Sequence, residues 1–149
     1  MLALRKGFTM IELVMVVIIL GILAAVAVPR FYDLQTDARK TKADGIYSSV
    51  RFASAITHSA YLVGGNASAT SVTLEGQAVA VANGYPTASG IVNAANLNPA
   101  SDNVAITSIG TTTRISVIGA AKPAHCEVSY SEAASAGAPP TITVDKSHC

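Results

Sequence analysis

The sequence predicts an α+β protein in which one long N-terminal helix, apolar in its first half, packs on a C-terminal antiparallel β-sheet. Three observations predict it. Residues 8 to 28 form an apolar run broken by a single charge, Glu12. Beyond Pro29, apolar residues recur at spacings of three and four as far as Gly64-Gly65-Asn66. After that break come short β-rich segments separated by turn residues. With 149 residues there is room for one domain plus a long helix. Half of the chain is hydrophobic and 13% is charged, an excess concentrated in the N-terminal run. A formal charge of +1 without a basic stripe gives no case for nucleic acid as the main partner.

Residues 1 to 7 hold two positive charges, Arg5 and Lys6. The run that follows, Phe8 to Val28, has about the ~20 residues that cross a bilayer as a helix. Arg5 and Lys6 should hold their end in the cytoplasm, which places the rest of the chain on the other side. Ala24-Ala25-Val26-Ala27 could pass for the cleavage site of an ordinary secretory signal. Against that stands Glu12, because a charge within a membrane span costs about 2.5 to 3.5 kcal/mol at its centre and a cleavable signal has no use for it.

Lys6-Gly7-Phe8-Thr9-Met10-Ile11-Glu12-Leu13 resembles the class III signal of type IV prepilins and pseudopilins. The resemblance is specific over about the first 30 residues. It implies the type IV pilin fold, cleavage between Gly7 and Phe8 by a prepilin peptidase of the inner membrane, and N-methylation of Phe8. Removal of residues 1 to 7 leaves eight basic and nine acidic side chains, a formal charge of −1. Glu12 then lies in the first helical turn, where a carboxylate suits the positive end of the helix dipole. The family answer for its partner is the Phe8 amine of a neighbouring subunit. An ion pair formed only when two chains are in register acts as a register device. The bland alternative is that Glu12 reaches out to the membrane interface.

Residues 8 to 29 are thus expected as a transmembrane and filament-core helix, and 30 to 63 as its amphipathic continuation. Gly21 and Pro29 are helix breakers, and Pro29 removes a backbone donor and crowds the preceding turn. In family filaments the segment between such residues can lose helicity. Phe31, Leu34 and Ala38, and later Ile46, Val50, Ala53, Thr57 and Ala60, make an apolar stripe suited to packing on a sheet. Lys40 and Asp44 can pair at a spacing of four. Gly64-Gly65-Asn66 suits a left-handed cap, and 64 to 149 forms the head.

In the head, Val72-Thr73-Leu74 and Gln77 to Val81 flank Glu75-Gly76, a two-residue hairpin turn. Arg114 to Ile118, Glu127 to Tyr130 and Thr141 to Val144 read as further strands. Gly84 to Asn103 reads as loop with one short helix near Ser89 to Leu97. A sheet of four or five antiparallel strands results. Cys126 and Cys149, in an exported domain, are expected as a disulfide that contributes about 3 kcal/mol by loop closure. Phe31-Tyr32-Asp33-Leu34-Gln35-Thr36-Asp37-Ala38-Arg39, Gly84-Tyr85-Pro86 and Cys126-Glu127-Val128-Ser129-Tyr130 leading to Pro139-Pro140-Thr141 and Cys149 resemble the mannose-sensitive haemagglutinin (MSHA) type of pilin.

Other candidate sites are weak. His125-Cys126 and His148-Cys149 could supply a zinc set, but sequence neighbours on a strand point to opposite faces. His58 reads as a surface or packing residue of the helix. Asn66-Ala67-Ser68 fits a glycosylation pattern of little weight in a bacterial chain. Phe31, Tyr32, Tyr47, Phe52 and Tyr61 are better read as core and contact residues than as an electron path. No catalytic constellation, cofactor site or metal site stands out.

The resemblance implies a structural subunit of a surface pilus for attachment or motility, its partners being identical or related pilins, the peptidase, and an assembly platform with its ATPase. It also implies residence in the inner membrane before assembly and on the cell surface after it. Alternatives are a type II secretion pseudopilin and a scarce membrane-anchored binding or tip protein.

Overall fold

The computed structural model describes residues 7 to 149; Arg5 and Lys6 lie outside the described residues. The chain divides into two compact units, one ending at Thr36 and one spanning Asp37–Cys149. Helix α1, Met10–Val63, contributes to both. In the first unit it is the one helix among the described residues long and apolar enough to cross a membrane. Its apolar side chains there are exposed, from Leu13 to Val28 and on to Phe31 and Leu34. The helix runs unbroken through Gly21 and Pro29.

In the second unit the expected stripe is where burial occurs. Ile46, Val50, Ala53 and Thr57 are buried, joined by Ala43 and Ser54. Thr57, a polar member of this face, donates its hydroxyl to the Ala53 carbonyl at 2.7 Å and so needs no partner from the core. The helix ends where glycine permits it: Gly65 has φ +64°, and Asn66 closes an Asx turn by accepting from Ser68 N at 3.0 Å.

The head holds two antiparallel sheets rather than one. The first has order β1 (Ser71–Leu74), β2 (Gln77–Ala82), β3 (Tyr85–Pro86). Leu74 pairs with Gln77 across Glu75-Gly76, both at positive φ, which is the pattern of a type I′ turn. A short helix α2, Gly90–Ala94, follows within the stretch where one was expected. The second sheet has order β4 (Val104–Ile109), β5 (Thr112–Val117), β6 (Glu127–Ser131), β7 (Thr141–Asp145). Val104, Ile115, Val117, Val128 and Tyr130 from this sheet bury with Ile46, Val50 and Ala53 of α1, and Ile91 of α2 joins them.

Gly84-Tyr85-Pro86 ties these layers together. The Gly84 carbonyl accepts from His58 Nδ1 at 2.8 Å, so that nitrogen carries the ring proton. Tyr85 stacks on the same imidazole, with centroids 4.1 Å apart. The Pro86 carbonyl accepts the buried Tyr130 hydroxyl at 2.7 Å. His58 is therefore a packing residue. One expected ion pair is replaced: Asp44 takes Lys146 Nζ at 2.8 Å, and Lys40 turns instead to Asp37 at 3.6 Å. The lysine from the C-terminal segment docks that segment on the helix, which a pairing within one helix would not do.

Candidate assembly site

The start of α1 is built by four residues. Met10 is the first helical residue, which makes Thr9 the N-cap and Glu12 the third helical position. Glu12 N donates to Thr9 Oγ1 at 3.3 Å, and Glu12 Oε2 accepts from Thr9 N at 2.8 Å. This reciprocal exchange is a capping box, which satisfies two backbone donors that a helix start leaves unpaired. The Thr9 hydroxyl also donates to Glu12 Oε2, at 2.7 Å. Oε1 has no hydrogen bond among the described residues.

The site is fully accessible. Phe8 is 78% exposed and precedes the cap; Met10 and Ile11, on either side of the same turn, are also exposed. A carboxylate pre-oriented by Thr9, with one oxygen uncommitted among the described residues, is thus held at the head of an apolar helix that no other described residue covers. It can accept a hydrogen bond from a cation supplied by another molecule. Gly7 and Phe8 precede the helix and are exposed. Thr9 is the member of this site that the spacing of charges does not reveal. Its signal was in plain view: Thr-x-x-Glu ahead of an apolar run.

The profile of the prokaryotic N-terminal methylation motif matches residues 2 to 28. The type IV narrow pilus major component PilA5 of Thermus thermophilus is 53% identical over 51 residues, which cover 34% of this chain and 44% of that protein. Over this segment the chain is similar to a type IV pilin. A fimbrial protein of Pseudomonas aeruginosa is 45% identical over 49 residues, 33% of this chain and 32% of its own. The type IV major pilin PilA of Myxococcus xanthus is 50% identical over 39 residues, 26% of this chain and 18% of its own. The chain thus spans less than half the length of these pilin relatives. No solved structure matches. A long apolar N-terminal helix with a C-terminal antiparallel sheet is a type IV pilin-like α+β fold.

In the head, Cys126 and Cys149 are joined in a disulfide, with Cα atoms 4.8 Å apart. Both cysteines are buried in the core. The thiolates that a His/Cys zinc set needs are therefore consumed.

Proposed function

We propose that this chain is the precursor of a structural subunit of a type IV pilus. Cleavage between Gly7 and Phe8 and N-methylation of Phe8 release a subunit that has no catalytic role. Its apolar helix leaves the bilayer for the core of a surface filament used in attachment or motility. Lipid contacts are exchanged for contacts with neighbouring helices, so packing and polar pairs specify the assembly more than hydrophobic transfer does. Glu12 pairs with the Phe8 amine of a neighbouring subunit, and the segment between Gly21 and Pro29 is where the helix yields in the filament. The observation that carries this reading is the exposed, pre-oriented Glu12 carboxylate at the head of an uncovered apolar helix. The names of the relatives support it.

The finer reading is an MSHA-type pilus, supported by the motif Gly84-Tyr85-Pro86 and the C-terminal disulfide. Its further partners are the prepilin peptidase, an inner-membrane platform and an assembly ATPase. Mass spectrometry of filaments sheared from producing cells tests the proposal. A dominant species that begins with N-methylated Phe8 and is two hydrogens lighter through Cys126–Cys149 supports it. A processed chain confined to the envelope points instead to a secretion pseudopilus. A functional form that retains residues 1 to 7 overturns the filament reading.

A further inference from the structure

The disulfide brings together two side chains that the sequence separates, His125 and His148. Cys126 and Cys149 immediately follow them, and the backbone bond from His148 N to the His125 carbonyl at 3.1 Å sets the two residues side by side. The imidazole centroids are 5.2 Å apart with planes inclined at 53°.

The hydrogen bonds fix which ring nitrogens are free. Ser147 Oγ donates its only proton to Asp145 Oδ1 at 2.7 Å. It can therefore only accept from His148 Nδ1, 3.1 Å away. His125 Nδ1 lies 3.0 Å from Asp145 Oδ2, a carboxylate oxygen that can only accept. One aspartate thus holds both imidazoles as Nδ1–H tautomers, His125 directly and His148 through Ser147. Among the described residues both Nε2 lone pairs are left uncommitted. A carboxylate on the far nitrogen is the arrangement that orients metal-binding histidines and raises their basicity. Two imidazoles that share an ion at about 2.0 Å per bond, with near-tetrahedral angles, have centroids about 5 Å apart.

Asp145 itself is well placed for the task. The Ser147 amide and hydroxyl both donate to its Oδ1, at 2.9 and 2.7 Å, which leaves Oδ2 to His125. The nearby cation on this segment, Lys146, is neutralised by Asp44 at 2.8 Å.

We propose that His125 and His148 form an open surface site for one borderline divalent transition-metal ion, through both Nε2 atoms, with Asp145 as the positioning residue. Among the described residues no group of three or more His, Cys, Asp or Glu side chains can hold a metal ion, so water completes the coordination. The order of affinity for such nitrogen donors puts Cu2+ above Zn2+ and Ni2+.

The test is titration of the detergent-solubilised full chain with Cu2+ alone, followed by calorimetry and by pulsed electron paramagnetic resonance, which detects the remote nitrogen of a bound imidazole. Expected is one ion per chain coordinated by two imidazoles. His125→Gln or His148→Gln should each weaken binding at least tenfold, and Asp145→Asn by about tenfold. His58→Gln should leave it unchanged, since that ring is stacked on Tyr85. Acidification should release the ion, because imidazole binds metal only when neutral. Circular dichroism of each variant checks that the fold is kept. Absence of saturable binding, a signal from one imidazole or none, or affinity unaltered in both His125→Gln and His148→Gln overturns the proposal.

Discussion

Replacing Glu12 by glutamine separates the capping role seen in the structure from the pairing proposed for the filament. Within the subunit its Oε2 accepts two hydrogen bonds from Thr9, at 2.8 and 2.7 Å. Glutamine serves at this position of a capping box as well as glutamate does, so Glu12→Gln keeps the cap and removes only the charge. Glu12→Ala removes both. The cap contributes about 1 kcal/mol, and the charge at the dipole adds about 0.3 to 1 kcal/mol. Together these alter an equilibrium by a factor of about 30 at most. An ion pair buried between subunits and stripped of one partner costs about 3 to 5 kcal/mol, two to nearly four orders of magnitude. Glu12→Gln should therefore lose filaments almost as completely as Glu12→Ala, whereas Thr9→Ala, which removes the hydroxyl contacts alone, should lower the yield by less than tenfold. The assay compares subunit in the sheared surface fraction with subunit in the envelope, with leader removal followed by mass. If Glu12→Gln assembles within about threefold of the unaltered chain while Glu12→Ala fails, pairing is refuted and Glu12 acts only as a cap.

The other expectations concern the head. Replacing both Cys126 and Cys149 by alanine opens a loop with a sequence separation of 23, and should cost about 3 kcal/mol, read as a lower melting temperature of the full chain in detergent. Gly90→Ala should cost at least about 1 to 3 kcal/mol in urea unfolding, because its new Cβ would collide with the Ala80 backbone carbonyl oxygen. Tyr130→Phe leaves the Pro86 carbonyl without its donor in a buried site, a loss of about 1 to 3 kcal/mol in the same measurement. Burial also raises the Tyr130 pKa above its ordinary value of 10.0. The unfolded chain therefore releases this proton first, and stability is full below about pH 10 and falls above it, by at most about 1.4 kcal/mol per pH unit. Urea unfolding between pH 8 and 12 should show a shallower alkaline loss in Tyr130→Phe.

What the sequence made legible divides along physical lines. The N-terminal run, the buried stripe through Ile46, Val50, Ala53 and Thr57, the Glu75-Gly76 hairpin and three strands of the second sheet follow local rules of period and turn chemistry. Strand β4 did not show, because only Val104 is buried, Ile106 is partly covered and Ile109 is exposed, so no alternation marks it. Strand β3 is two residues long and ends in a proline, a residue that argues against a strand wherever tertiary contacts are unknown. The division into two sheets depends on long-range contacts such as Tyr130 on Pro86 and Asn83 on the Ala133 carbonyl, which no local pattern encodes. At the helix start the charge of Glu12 was legible, and the capping partner Thr9 was legible too but is found only by asking where the helix's first amides go. The meeting of His125 with His148 depends on the disulfide, on Asp145 beside His125 and on the serine that links His148 to it. Sequence neighbours that point apart on an ideal strand need not do so beyond a strand's end, where both histidines lie.

Helical reconstruction of filaments sheared from producing cells tests the central claim most directly. Expected are subunits that begin at Phe8, with apolar segments 8 to 28 lining the filament core and each Glu12 carboxylate within ion-pair distance of a neighbour's Phe8 amine. Filaments that lack this chain, or in which Glu12 faces solvent and touches only its own Thr9, would contradict it.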